Sequence, residues 1–252
     1  MVRLSRPGGR AGRVLRLAWL WPFIVLQTVV WSLVSISLFV VDFSGRLTHR
    51  YGAVPWSRIL LWASGVRVDL KGRENLAADD GGPLVLVCNH QSLFDVLALL
   101  ARLPLDFKFV VKRELRKVPL WGYAMDKAGY LFIDREAGGD VRGLIQEAAG
   151  RLESGSSMLF FVEGTRSADG HLAGFKRGAF VLASRSGRPV VPVVIEGSRR
   201  VVPKGSREIR PGRITLTVLP AIKDPAVSKN SRRLQAAVRE AMLSALGEPP
   251  AA

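Results

Sequence analysis

The sequence predicts an α/β fold: a largely parallel central sheet flanked by helices, preceded by an N-terminal membrane-embedded helical hairpin. Three observations predict it. Short apolar runs alternate with segments of helical periodicity from residue 84 to residue 246. The 252 residues suffice for one large domain with a full core. Residues 17–41 carry no charged side chain and follow arginines at positions 3, 6, 10, 13 and 16.

That N-terminal run would reach roughly 37 Å as a helix, enough for a bilayer core. It is too long for the apolar region of a cleaved signal peptide, and no A-x-A-like site follows it closely. Attachment to a membrane is expected. A second apolar patch, Ile59–Val66, is too short to cross. It can lie in the interface, with Trp56 and Trp62 as anchors. "GRENLAADDGGP" then reads as a loop opening the main domain.

The elements follow in order. Leu84–Cys88 is a continuous apolar run, a buried strand, and Ser92–Leu103 is helical. "FKFVVK" at 107–112 is a second strand and "PLWGYAMDKAG" a short helix; "YLFID" at 130–134 is a third strand. Val141, Leu144, Ile145, Ala148 and Leu152 mark one face of a helix by their spacings of three and four. "SMLFFVE" at 157–163 is a fourth strand, and "KRGAFVLASRSG" a helix that ends at Gly187, where a left-handed cap suits glycine. "PVVPVVIEG" is a fifth strand. Its Pro192 lacks a backbone donor, which predicts an edge position or a bulge. "RITLTVLP" is a sixth strand, and Leu234, Val238, Ala241, Met242, Ala245 and Leu246 stripe a last helix.

Lys plus Arg number 37 against 21 Asp plus Glu, a net charge of +16. Such a balance suits nucleic acid, an anionic membrane surface or phosphorylated substrates. The basic residues are not interleaved with aromatic stacking platforms, so no nucleic-acid partner is expected. Cys88 is the sole cysteine, which excludes an intramolecular disulfide and a thiolate metal cluster.

Polar strings close three of the strands. Asn89-His90-Gln91-Ser92 follows the first, Asp134-Arg135 closes the third, and Glu163-Gly164-Thr165-Arg166 closes the fourth. In parallel sheets ligands bind beyond the carboxyl ends of the strands, so these strings would share one rim. His90 on the turn before a helix and Asp95 in its first turn can meet, with Asp95 accepting from Nδ1 and Nε2 left as a base. Ser92-x-x-Asp95 fits a helix capping box equally well, and the spacing alone leaves both roles open. Arg166 can take a phosphate through paired hydrogen bonds, and Lys176 and Arg177 stand at a helix start.

Taken together and in order, "NHQSLFD", "GYLFIDR" at 129–135, "FVEGTRS" at 161–167 and "VVPVVI" at 190–195 are specific. With "VKREL" at 111–115 and "FKRGAF", they give a chain that resembles the glycerolipid acyltransferase family from about residue 66 to 220. The bacterial 1-acylglycerol-3-phosphate acyltransferases are the most similar subgroup.

The resemblance implies a glycerol-3-phosphate acyltransferase-like fold. It implies that His90 is the general base and Asp95 its orienter, and that an acceptor hydroxyl attacks an acyl thioester with no acyl-enzyme. It implies that Arg135 and Arg166 hold the acceptor phosphate, shaped by Glu163, Gly164 and Thr165, with Lys112 and Lys176 as further candidates. It implies lysophosphatidic acid or a related lyso-lipid as acceptor, and acyl-CoA or acyl carrier protein as co-substrate. No cofactor or metal is implied, and Cys88 is expected to be buried and inert.

Topology follows from the same implication. The early arginines hold the N-terminus in the cytoplasm, where the thioester donors also are. One full crossing by residues 17–41 would separate the domain from its donors. Pro22, Gln27, Thr28, Ser32, Ser35 and Ser37 give that helix a more polar stripe. The expectation is a basic segment and hairpin over residues 1–66, dipped into the cytoplasmic leaflet of the inner membrane with the second patch as its return arm. Residues 67–247 are then the α/β domain and 248–252 a tail.

Overall fold

A long apolar helix opens the computed structural model, which describes residues 10–77, 81–134 and 140–249, with the side chains of 10–16 outside that description. Helix α1 runs from Arg10 to Phe39. Its Thr28, Ser32 and Ser35 recur at helical spacing and face the segment that returns beside it. That segment is a π-helical turn, Thr48–Ala53, followed by α2, Val54–Ala63. Trp56 donates to Thr28 Oγ1 at 3.2 Å, and Thr48 donates to the Ser35 carbonyl at 3.2 Å. Gly52 lies so close to the Ser35 hydroxyl that a Cβ there would collide with it.

Strand β1, Val66–Lys71, comes next. It was not among the expected strands, although Val66, Val68 and Leu70 alternate with Arg67, Asp69 and Lys71 at a strand's period of two. The patch expected at the interface is mostly spent on packing. Leu60 and Leu61 of α2 are buried against the domain, and Trp62 alone projects, 80% exposed.

Two short helices, Ser198–Val201 and Pro225–Ser228, were not expected, whereas the remaining strands and long helices alternate as expected. They are β2 (Val85–Cys88), α3 (Phe94–Arg102), β3 (Phe107–Lys112), α4 (Trp121–Lys127), β4 (Leu131–Ile133), α5 (Val141–Glu153) and β5 (Ser157–Phe161). Then come α6 (Gly178–Ser186), β6 (Val190–Glu196), the short α7 (Ser198–Val201), β7 (Gly212–Val218), the short α8 (Pro225–Ser228) and α9 (Ser231–Leu246). Helix α6 does end on Gly187, in the left-handed region at φ +67°. The seven strands form one sheet in the order β1-β7-β6-β2-β5-β3-β4. Every neighbouring pair is parallel except β6 and β7.

Alternate residues of the buried strands feed two cores. Leu86, Cys88, Phe107, Phe109 and Leu159 pack toward α1, α2 and α3. Val85, Val87, Met158 and Phe160 pack toward α5, α6 and α9. This two-sided burial explains why β2, β5 and β6 read as unbroken apolar runs.

Pro192 corrects one expectation in part. It sits in an interior strand, between β2 and β7, not at an edge. Its carbonyl accepts from Leu219 N at 2.9 Å, so its donorless nitrogen faces the side on which β7 is ending. Between the pairs Val193–Val218 and Val190–Ile222, two residues of β6 face three of the other segment. The ladder therefore slips by one residue at Pro192, the bulge that the missing donor predicted.

Candidate active site

His90 leaves β2 at the rim formed by the carboxyl ends of the parallel strands, and α3 begins four residues later. The Nδ1 atom of His90 lies 2.8 Å from Asp95 Oδ2. The same oxygen accepts the backbone N–H of Gln91 at 2.7 Å and of Ser92 at 2.8 Å. Capping and orienting are thus one arrangement. Asp95 is fully buried, and its position is fixed by the helix start it caps. The Ser92 hydroxyl does not accept from Asp95 N as a capping box would; it accepts from Phe94 N at 3.3 Å and donates to the Val202 carbonyl at 2.9 Å.

The imidazole is held flat as well as tethered. It stacks on Phe161 with ring centroids 3.9 Å apart, and Phe161 stacks in turn on Phe109. With Nδ1 committed, Nε2 has no hydrogen-bond partner among the described residues, and the side chain keeps 12% exposure. A tethered, stacked imidazole with one free nitrogen can take a proton from a group delivered to the rim.

The backbone of the histidine is clamped from β5. Glu163 Oε1 accepts from His90 N at 2.8 Å, and its Oε2 accepts from Ala173 N at 3.2 Å. Burial raises the Glu163 carboxyl above its ordinary range, against the pull of those two donors. Ser167 N donates to the His90 carbonyl at 2.7 Å. On the other side Asn89 binds β6 twice, to the Ile195 carbonyl at 2.9 Å and from Ile195 N at 2.7 Å. A side chain there continues the sheet by one rung.

Cys88 points into the core, fully buried, with its Sγ 3.7 Å from the Phe160 carbonyl. Burial first, and the nearby carboxylates of Asp95 and Glu163 second, push its thiol up and keep it protonated. It is a poor nucleophile.

Next to this clamp lies an open cleft of about 320 Å³, lined by Glu163, Thr165, Arg166, Asp169, His171 and Lys204 among others. Arg166 has no ion pair or hydrogen bond among the described residues. Gly164 takes φ +74°, a left-handed turn that suits glycine, and the Lys176 stem lies over it. Lys112, at the end of β3, faces Glu114 at 3.3 Å. Arg135 lies outside the described residues. Its neighbour Asp134 follows β4, three strand positions from β2 and so roughly 14 Å from it at the usual spacing of about 4.8 Å. Asp134 thus stands on the rim apart from the dyad. Among the described residues, no three His, Cys, Asp or Glu side chains group as metal ligands.

A sequence model of the Acyltransferase family matches residues 67–196, which hold His90, Asp95 and the whole of that clamp. The chain belongs to the acyltransferase family. It is 37% identical over 196 residues to a 1-acyl-sn-glycerol-3-phosphate acyltransferase of Chlamydomonas reinhardtii, covering 75% of this chain and 57% of that protein. It is 34% identical to the alpha form of that enzyme in sheep, over 73% of this chain and 64% of the other. The chain spans about half the length of the curated relatives it matches, between 45% and 57% for three of them. Among solved structures, the 1-acyl-sn-glycerophosphate acyltransferase PlsC from Thermotoga maritima superposes with a TM-score of 0.77. The match covers 95% of this chain and 98% of that one at 23% identity, and it shows the shared fold.

One part of this site was missed by sequence reasoning. The segment from α7 to β7 supplies Val202, which anchors Ser92, and Lys204, which lines the cleft. Its composition held a signal: residues 199–213 contain Arg199, Arg200, Lys204, Arg207, Arg210 and Arg213. Nothing in a linear reading says that one of these cations, Lys204, lines the cleft beside the His90 clamp.

Proposed function

We propose that the chain transfers a fatty acyl group from a thioester to the free hydroxyl of 1-acyl-sn-glycerol-3-phosphate, giving phosphatidic acid. The observation that carries this reading is the 2.8 Å contact between His90 Nδ1 and the buried Asp95, with Nε2 free on a rim whose adjoining cleft holds an unpaired Arg166.

The steps follow from that geometry. Nε2 of His90 takes the proton of the acceptor hydroxyl as its oxygen attacks the thioester carbonyl carbon. The carbonyl π pair moves to oxygen. When that pair returns, the C–S bond breaks, and the imidazolium gives its proton to the departing sulfur. Asp95 stabilises the imidazolium between the two transfers. Arg166 binds the acceptor phosphate, and Arg135 joins it from the second string. Glu163 and Ser167 fix the His90 backbone, and Gly164 and Thr165 shape the turn that carries Arg166. Lys112 and Lys176 serve as outer cations. No cofactor is required by this chemistry, and acyl-CoA or acyl carrier protein serves as donor.

The N-terminal segment fits a hairpin lying in the cytoplasmic leaflet of the inner membrane. Residues 17–39 form a helix long and apolar enough to cross a bilayer. Yet α1 stays against the domain over most of that length. Trp21 donates to the Arg207 carbonyl at 3.1 Å, beside the rim, and the Lys127 ammonium stands 4.7 Å from the Phe39 ring at the opposite end. A crossing helix would carry those charged neighbours into hydrocarbon, which costs too much. Its outward face carries Trp19, Leu26, Val29, Val30 and Leu33, all exposed, a stripe suited to the acyl region.

The deciding experiment offers purified protein one acyl thioester and a panel of lyso-lipids, with products read by mass. Phosphatidic acid from lysophosphatidate supports the proposal. Turnover confined to a lyso-ornithine lipid or another lysophospholipid would instead identify a sister acyltransferase.

A further inference from the structure

Lys204 is an exposed cation that follows a buried, fastened stretch of backbone. Val201 and Val202 before it are buried. Ser92 Oγ donates to the Val202 carbonyl at 2.9 Å, and Arg210 N donates to the Val201 carbonyl at 2.9 Å. Pro203, between Val202 and Lys204, has its φ fixed by its ring. The turn is thus fastened to the start of α3, the same turn that carries the dyad. From there Lys204 lines the cleft together with Arg166 and Thr165.

The charges around that cleft are unevenly committed. Glu163 spends its two oxygens on His90 N and Ala173 N. Asp169 Oδ1 accepts from Ser167 Oγ at 2.9 Å and from His171 N at 3.0 Å. His171 faces Glu248 at 3.4 Å. Arg166 and Lys204 have neither an ion pair nor a hydrogen bond among the described residues. A second free cation beside Arg166 on this cleft favours a ligand with two negative charges over one with a single charge.

We infer that Lys204 is a specificity-determining residue of the acceptor site: with Arg166 it selects a phosphate monoester, a near-dianion at neutral pH, over phosphodiester lyso-lipids. This rests on the proposed acyl transfer to lysophosphatidate. A phosphate monoester has a second ionisation near pH 6 and so carries close to two charges at about pH 7. A phosphodiester carries one, and would leave one of the two cations without an anionic partner. A guanidinium fork and an ammonium point charge divide the work between geometry and charge. The 3′-phosphate of acyl-CoA is also a phosphate monoester, and the test separates the two sources.

The experiment measures steady-state kinetics of the full chain with lysophosphatidate, lysophosphatidylglycerol and lysophosphatidylcholine as acceptors. Each is paired with acyl-CoA and then with acyl-acyl carrier protein, which lacks a 3′-phosphate. In Lys204→Gln, KM for lysophosphatidate rises about tenfold or more, while kcat and the donor KM hold. The preference for lysophosphatidate over both phosphodiesters shrinks by a similar factor, and Lys204→Arg restores it. An unchanged lysophosphatidate KM, or an equal loss on all three acceptors, overturns the inference and leaves the proposed function standing. A rise confined to the acyl-CoA KM also overturns it and moves Lys204 to the donor. Wild-type protein that fails to acylate lysophosphatidate removes both readings at once. Lys204 is exposed and unpaired, so the variants keep the wild-type unfolding temperature, which a thermal melt verifies.

Discussion

Asp95 Oδ2 lies 2.8 Å from His90 Nδ1 and receives two backbone N–H groups from the turn between them. An asparagine can put its carbonyl oxygen in that position and keep all three bonds. What it loses is the negative charge opposite the imidazolium. Asp95→Asn is therefore expected to keep its unfolding temperature and lose most of kcat. Asp95→Ala is expected to lose kcat and also about 1 kcal/mol or more of stability, as a lost helix cap does. His90→Ala should lower kcat by about 10²–10⁴-fold with the fold intact. Near-normal turnover by Asp95→Asn would reduce that residue to a cap.

Arg166→Ala is expected to raise KM for the phosphorylated acceptor and leave the thioester KM unchanged. Removing one partner of a desolvated charged contact costs about 2–5 kcal/mol, and half-burial holds Arg166 near the lower end. Saturation curves for each substrate decide it. A change confined to the thioester would assign the guanidinium to the donor.

His49 gives the fold an acid sensitivity. It is buried against Phe107, and burial first and Lys108 second bring its imidazole down from 6.5 to about 4, against the pull of Asp106 and the Leu105 backbone. The unfolded chain then takes up a proton before the folded one does. The stability is whole above about pH 6.5 and falls as pH drops toward about 4, by about 2 kcal/mol between pH 7 and 5. His49→Phe should flatten the melting temperature across that window. An equal slope in the variant would place the sensitive group elsewhere.

The hairpin predicts one-sided labelling. In a Cys88→Ala background, single cysteines at Gly8 and Phe43 should react only from the cytoplasmic side. Phe43 is 76% exposed and suits a probe, whereas Gly45 does not. Gly45 has φ +72°, and a Cβ there would stand 2.8 Å from the Ala128 carbonyl oxygen. Periplasmic reaction at position 43 would require α1 to cross.

Periodicity and local chemistry carried much of this protein in the sequence alone. The alternation of buried strands and amphipathic helices was legible because two-sided burial forces unbroken apolar runs, and Gly187 marked a helix end because few other residues accept its φ. The His90–Asp95 pair was legible because both partners lie within one turn, where spacing limits the geometry. The resemblance in the ordered motifs gave the family. Strand β1 escaped, though its alternation was visible, because its apolar residues adjoin the patch before it. Tertiary structure decided what lies far apart in the chain. Asn89 finds Ile195, Glu163 finds His90 N, and Ser92 finds Val202 only because β2 stands between β5 and β6 in the sheet. It decided too that Pro192 is interior, since an antiparallel partner ending beside it leaves no donor to miss. Lys204 reaches the cleft for the same reason: a chain order that local spacing does not encode returns the segment after β6 to the rim beside His90.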